Sequence, residues 1–276
     1  MKIFIPARHG LGDMINLYFI HPATRHLLKA IECLYTKGTL TEVLLLHEEF
    51  ISPPESVESI FGNLPFPVSI VSTHKAHDLC PEVEISAGNN SFPEQIDDYI
   101  NILCLHKYLP LDGYPGYIPI PIKSVEKIPE DFILFAPLAG LKERCLTDGR
   151  IMETIKRLTN LPVIITGMQT KRNEFCESGM LGDYNMIGSL SLRETFYIAS
   201  KAKVIIAGLS LMRTCSSLFN VPVIELYEGN DETVIKRTNA EYQRGFYGMK
   251  PDKNFCYLWD LEKRGFRARI VEILTR

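Results

Sequence analysis

Phe132-Ile133-Leu134-Phe135-Ala136, followed at once by Pro137-Leu138-Ala139-Gly140-Leu141-Lys142-Glu143-Arg144, is the stretch on which the fold turns. A short apolar run closed by a proline has the length and composition of a strand buried on both faces. The glycine-bearing, basic loop behind it marks the exit of the chain from a sheet.

The pattern repeats downstream. A helix is expected over 149–159, then a strand over 162–166 that ends in Gly167. A polar helix follows over 171–178, and a short strand over 184–187. Ser191, with Glu194 three residues on, has capping-box spacing and opens a helix that runs through Ser200. Val204-Ile205-Ile206-Ala207 is a strand, and the loop 208–213 leads into another helix. Residues 221–227 form the last strand. Continuous apolar strands alternating with helices predict a parallel sheet covered on both faces. Such sheets bind ligands in the crevice beyond the carboxyl ends of their strands.

The N-terminal part carries the same grammar. Residues 2–6 read as a buried strand, and Arg8-His9-Gly10-Leu11-Gly12-Asp13 as a tight turn. A helix is expected over 14–35, broken or kinked at His21-Pro22. Strands follow at 42–47 and 65–72. Residues 73–125 are less regular, with a helix expected over 97–108. An extended connector is expected over 109–122, where Pro110, Pro115, Pro119 and Pro121 crowd together. The boundary between the two α/β domains is expected near Ser124. Residues 228–253 have no assignment.

Length and composition fit this division. The chain has 276 residues, 46% of them hydrophobic and 23% charged, enough for two modest cores. A net charge of -3 gives no general attraction to nucleic acid or anionic membrane. The basic run Lys263, Arg264, Arg267, Arg269 and Arg276 reads as a solvated helix face. The seven cysteines are single and odd in number, which favours reduced thiols and a cytoplasmic location. No signal segment or membrane helix is expected.

Several residue types could carry chemistry. Asp13 reads either as a general base at a crevice or as a helix N-cap. Lys142 and Arg144, beyond a strand's carboxyl end, suit a diphosphate or stand as a solvated basic pair. The turns at Gly167 and at Gly208 and Ser210 offer backbone N–H groups at helix starts, which are general anion sites. His74 and His77 are three apart without an evident third ligand, so no metal site is expected. His9 adjoins the glycine turn. The dinucleotide fingerprint, the P-loop, GxSxG and HExxH are absent from the sequence.

Together these residues resemble the bacterial heptosyltransferase family, glycosyltransferases with two Rossmann-like lobes of the GT-B type and a ligand cleft between them. Gly10-Leu11-Gly12-Asp13 matches the family's GxGD turn, and Phe135 to Lys142 its strand, small-residue loop and lysine. Ile164-Ile165-Thr166-Gly167 matches its glycine-ended strand. Asn185, Gly188, Ser191, Leu192 and Glu194 match its N-x-x-G-x-x-S-L-x-E segment, and Val221-Pro222-Val223 its closing strand. The resemblance spans the first 35 residues and about 132–227.

The ligand loop departs from the family. Where the family has Asp-Ser-Gly and then His, this chain has Leu209-Ser210-Leu211 and Thr214. The family's Trp-Pro after the lysine is replaced by Glu143-Arg144. The resemblance implies an acceptor-side domain at 1–124 and a nucleotide-sugar-binding domain at 125–276, whose last helix is able to pack back on the first. It implies inverting, metal-independent glycosyl transfer with no cofactor beyond the nucleotide-sugar substrate. Asp13 would be the base, with His9, Gly10 and Gly12 on the acceptor side. Lys142, Arg144, Gly140, Gly167, Gly208, Ser210 and Thr214 would line the donor. The altered loop implies a donor other than ADP-heptose, or a non-catalytic sugar-nucleotide-binding or scaffold protein. The acceptor would be a saccharide or another hydroxyl, and a hydroxymethylated DNA base is an alternative.

Overall fold

The computed structural model describes residues 2–7, 10–20, 25–47, 54–72, 116–140, 142–168, 182–226, 271–272 and 275. The chain divides into two compact units, Met1–Pro121 and Ile122–Arg276.

The first unit holds a parallel three-stranded sheet of β1 (Lys2–Ala7), β2 (Glu42–His47) and β3 (Val68–Ser72), in that order. Helix α1 (Leu11–Ile15) starts three residues after β1 and passes into a π-helical turn, Asn16–Ile20. Helix α2 (Leu27–Thr36) then leads to β2. The expected single helix over 14–35 is therefore two helical pieces. Every residue from Met14 to Phe19 is buried, so this piece is a core plug and not a one-faced surface helix. In α2, Leu27, Leu28, Ala30, Ile31 and Leu34 turn inward, while Lys29 and Glu32 pair on the other side.

Helix α3 (Pro54–Phe61) was not foreseen in the sequence. Its signals are Pro54 at the first helical position and apolar residues at Val57, Ile60 and Phe61. Phe61 is fully buried and meets Tyr18 edge-on, with ring centroids 5.5 Å apart.

The second unit holds a five-stranded parallel sheet. Its strands are β4 (Ile133–Ala136), β5 (Val163–Ile165), β6 (Tyr184–Asn185), β7 (Val204–Ala207) and β8 (Val223–Glu225). The spatial order is β6-β5-β4-β7-β8. Helices α4 (Arg150–Leu158), α5 (Leu192–Lys201) and α6 (Leu211–Phe219) lie in the connections. Ile133, Phe135, Val163, Ile165, Val204 and Ile206 share one core with Ile151, Met152 and Ile155 of α4. Leu134, Ile164 and Ile205 alternate with them along the strands and are also fully buried, so both faces are covered. The rings of Phe196 in α5 and Phe219 in α6 lie 6.4 Å apart.

This sheet has the five strands expected from the sequence, with shorter ends. The helices expected over 97–108 and 171–178, His74, His77 and the basic run from Lys263 to Arg269 lie outside the described residues.

Candidate functional site at the carboxyl ends of the second sheet

Chain order runs outward from β4 in one direction through β5 and β6, and in the other through β7 and β8. The reversal point lies between β4 and β7, where an open α/β sheet leaves a crevice at the strands' carboxyl ends. The loops leaving these two strands contain most of the candidate donor residues.

The loop after β4 is closed by its own hydrogen bonds. Leu146 N–H donates to the Pro137 carbonyl at 2.8 Å, and Cys145 N–H to the Lys142 carbonyl at 3.0 Å. The buried Cys145 thiol accepts from Ala139 N–H at 3.3 Å and lies 3.7 Å from the Ala139 carbonyl oxygen, to which it donates. Lys142 and Arg144 sit at the two ends of a 3-10 turn, Lys142–Arg144, and both side chains are exposed. Neither forms an ion pair with a described residue.

Glycine fixes the neighbouring loops against this one. A Cβ at Gly208 would lie 2.4 Å from the Arg144 carbonyl oxygen, a clash with backbone. A Cβ at Gly167 would lie 3.0 Å from Leu138 Cβ. The turns after β5 and β7 are thereby held against the two ends of the β4 loop. Gly140 is exposed, and no atom lies within 4 Å of where its Cβ would be. Structure thus brings Gly167, Gly208, Ser210, Lys142 and Arg144 to one edge of the sheet.

Ser210 is the N-cap of α6, and its hydroxyl accepts from Met212 N–H at 3.3 Å. The first turn of α6 carries no acidic residue. Thr214 lies one turn further in and is 2% exposed, so its side chain belongs to the packing of α6. Two residues at this edge escaped the sequence reading. Glu225, the last residue of β8, is 1% exposed, and its Oε1 lies 3.7 Å from Nε of Arg213 in α6. The available signal was a carboxylate inside the apolar run Val221 to Tyr227.

The other candidate cluster lies in the first unit. Gly10 is the N-cap of α1 and makes no side-chain cap bond; its carbonyl accepts from Asp13 N–H at 3.0 Å and Met14 N–H at 3.1 Å. Asp13 is therefore not the N-cap. It occupies the first turn, half-buried, with a carboxylate oxygen 3.6 Å from the position of a Cβ on Gly10. A side chain at position 10 would cover that oxygen. Gly12 lies within α1, and His9 lies outside the described residues.

Among the described residues, no group of three or more His, Cys, Asp or Glu side chains is placed to hold a metal ion. None of the described helices is long and apolar enough to cross a membrane.

Parallel sheets with a reversal point and glycine turns at the strand ends define an α/β fold of the doubly wound kind. Its fold is heptosyltransferase-like. The chain aligns with ADP-heptose lipopolysaccharide heptosyltransferase II of E. coli over 100% of this chain and 98% of that one, at 12% identity and a TM-score of 0.54. It aligns with a family 9 glycosyltransferase from Veillonella parvula over 97% and 89%, at 12% identity and a TM-score of 0.50. Against the iron-containing dodecameric glycosyltransferase TibC from enterotoxigenic E. coli, it spans 59% of that chain, at 12% identity and a TM-score of 0.47. No family model and no curated protein matches the sequence.

Proposed function

We propose that this protein is a glycosyltransferase that moves a sugar from a nucleotide-sugar to an acceptor hydroxyl, with inversion and without a metal ion. The C-terminal unit takes the donor and the N-terminal unit the acceptor. Asp13 removes the proton from the acceptor hydroxyl as it attacks the anomeric carbon. Lys142 and Arg144 offset the charge that develops on the departing diphosphate. The observation that carries this reading is the edge of the second sheet, where two exposed cations and the start of α6 flank the reversal point. Likeness of fold to heptosyltransferases supports it. Leu209 and Leu211 support a donor other than ADP-heptose.

A panel of nucleotide sugars tests the reading by donor hydrolysis and by transfer to saccharide acceptors. Turnover with one donor is expected. Asp13→Ala is expected to lower it about 10²–10⁴-fold, the usual contribution of a positioned base, with an unchanged circular dichroism spectrum. A folded, fully active Asp13→Ala protein removes this residue from the mechanism. Lys142→Ala is expected to weaken donor binding, and unchanged affinity would remove the diphosphate role. Nucleotide binding without any turnover favours a non-catalytic sugar-nucleotide-binding protein, the reading that the altered 208–214 loop suggests.

A further inference from the structure

We propose that the Thr166 hydroxyl recognises a hydroxyl group on the carbohydrate part of the nucleotide-sugar and so helps to set which donor the C-terminal unit accepts. This inference rests on the reading of the unit as a nucleotide-sugar site, and it names a residue that reads the ligand and the group it reads.

Residues of β4, β5 and β7 alternate between the two faces of their sheet. Ile133, Phe135, Ile165 and Ile206 share a core with α4. Leu134, Ile164 and Ile205 take the other face, and Leu134 is the Cα partner of both the others. Two residues further along each strand, the same face carries Ala136, Thr166 and Ala207. Ala136 and Ala207 are Cα partners. Thr166 N–H donates to the Phe135 carbonyl at 3.0 Å, which carries the ladder between β4 and β5 one residue past the end of β5. These three side chains therefore close the sheet in one row at its carboxyl edge.

Thr166 is 1% exposed, and Ala136 and Ala207 are 2% and 0% exposed. Among the described residues the Thr166 hydroxyl has no hydrogen-bond partner. Nor is its oxygen among the side-chain atoms sealed from solvent without a partner, so the small surface that Thr166 keeps includes the hydroxyl. Buried polar groups are ordinarily bonded. Valine has nearly the same shape and favours strands, so a merely structural position here would accept it. A hydroxyl kept at this point calls for a partner from outside the chain.

The surroundings select that partner. Alanines occupy the rest of the row, and Pro137, Gly167 and Gly208 follow the three strand ends, so the floor beside the hydroxyl is small and uncharged. The exposed cations Lys142 and Arg144 belong to the β4 loop, and charged phosphate oxygens gain most there. A neutral hydroxyl, donor and acceptor at once, is matched by another hydroxyl. A site that bonds a substrate hydroxyl rejects the analogue without it more strongly than an apolar pocket rejects an added one.

Calorimetric titration of the full chain with ADP, UDP and GDP, their 2′-deoxy and 3′-deoxy counterparts, and the matching nucleotide sugars tests the assignment. In Thr166→Val, the ligand that carries the recognised hydroxyl is expected to bind about tenfold more weakly than to wild type. The ligand without it should bind both proteins equally, and Thr166→Ser should restore the preference. If the hydroxyl lies on the ribose, the loss appears with a nucleoside diphosphate and not with its deoxy counterpart. If it lies on the transferred sugar, the loss appears with the nucleotide sugar and not with the diphosphate. The melting temperature of free Thr166→Val should equal or exceed that of wild type, because no bond within the chain is lost. Unchanged binding of every ligand by the folded variant overturns the inference alone, as does an equal loss for hydroxyl-bearing and deoxy ligands. A lower melting temperature with ligand preference intact makes the hydroxyl structural and overturns it too. Absence of any nucleotide binding by wild-type protein removes the underlying reading and this inference with it.

Discussion

The second unit contains two helix starts at the carboxyl ends of one sheet, and they are capped differently. Helix α5 begins with a closed capping box. Ser191 Oγ accepts from Glu194 N–H at 3.3 Å, and the Glu194 carboxylate accepts from Ser191 N–H at 2.9 Å and from its hydroxyl at 2.7 Å. Lys123 adds an ion pair to Glu194 at 2.7 Å, and its own N–H donates to the Arg193 carbonyl at 3.1 Å. Helix α6 begins with Ser210 alone as cap and Arg213 in the first turn. One start already holds its own anion. The other carries positive charge and no acid, as an anion-binding helix end requires. Two helices of similar length on the same sheet thus start differently, one closed on its own carboxylate and one without an acid in its first turn.

Each start is preceded by a glycine, and the two glycines serve different needs. Gly208 is required for space, because its Cβ would meet the Arg144 carbonyl oxygen at 2.4 Å. Gly188 is required for conformation, with φ at +69° and nothing within 4 Å of a Cβ. Gly208→Val is expected to cost about 1–3 kcal/mol, the usual penalty of overpacking. It should also displace the β4 loop and weaken nucleotide binding. Gly188→Ala is expected to cost about 1–2 kcal/mol through the left-handed backbone alone and to leave binding untouched. Thermal unfolding and nucleotide titration of both variants separate the two. Equal binding losses would erase the distinction between the starts.

The same contrast governs what could be read from the sequence. The α5 start was legible because a capping box is local: Ser191 and Glu194 satisfy each other within four residues. Strands β4, β5 and β7 were legible because burial on both faces writes itself as an unbroken apolar run, whereas β6, Tyr184–Asn185, is exposed. The candidate site at the carboxyl ends of the strands was half legible. Lys142, Arg144, Gly167 and Gly208 follow strand ends, so the strand reading places them. Arg213 and Glu225 were missed because their pairing crosses from a helix to a neighbouring strand, a contact that only the sheet order creates. Thr214 was misplaced for a related reason. Aligned position gave it a ligand role, whereas helical phase turns it into the core, 2% exposed. In the first unit, the N-cap alternative for Asp13 fails because α1 starts at Leu11, one turn earlier than the pattern suggested.

A change of one atom group at the α6 cap tests whether that start is kept free of acid for a ligand. Aspartate caps a helix about as well as serine and favours the dipole, so Ser210→Asp should leave the stability of the free protein within about 0.5 kcal/mol. Diphosphate affinity should fall severalfold from like-charge repulsion, while nucleoside affinity stays. A variant that binds diphosphate as tightly as wild type shows that the anion does not approach this helix end.

The smallest expected effect belongs to the closed start. Lys123 first, then the Ser191 hydroxyl and N–H, favour the charged form of Glu194 and hold its pKa down to about 2 against an ordinary 4.5. A depressed carboxylate contributes stability above the unfolded-state pKa and loses it as pH falls through the folded-state value. The contribution is therefore complete above about pH 5 and fades between roughly pH 4.5 and 2. Because the Lys123 end of the pair is exposed, solvent screening keeps it to about 1 kcal/mol or less. Melting temperatures of wild type and Glu194→Gln should differ slightly at pH 6 and converge as pH falls through about 2, with nucleotide binding at neutral pH unaffected in the variant. A gap that persists at low pH would mean that the glutamate acts by packing, and a binding loss at neutral pH would mean that the α5 start also serves the ligand.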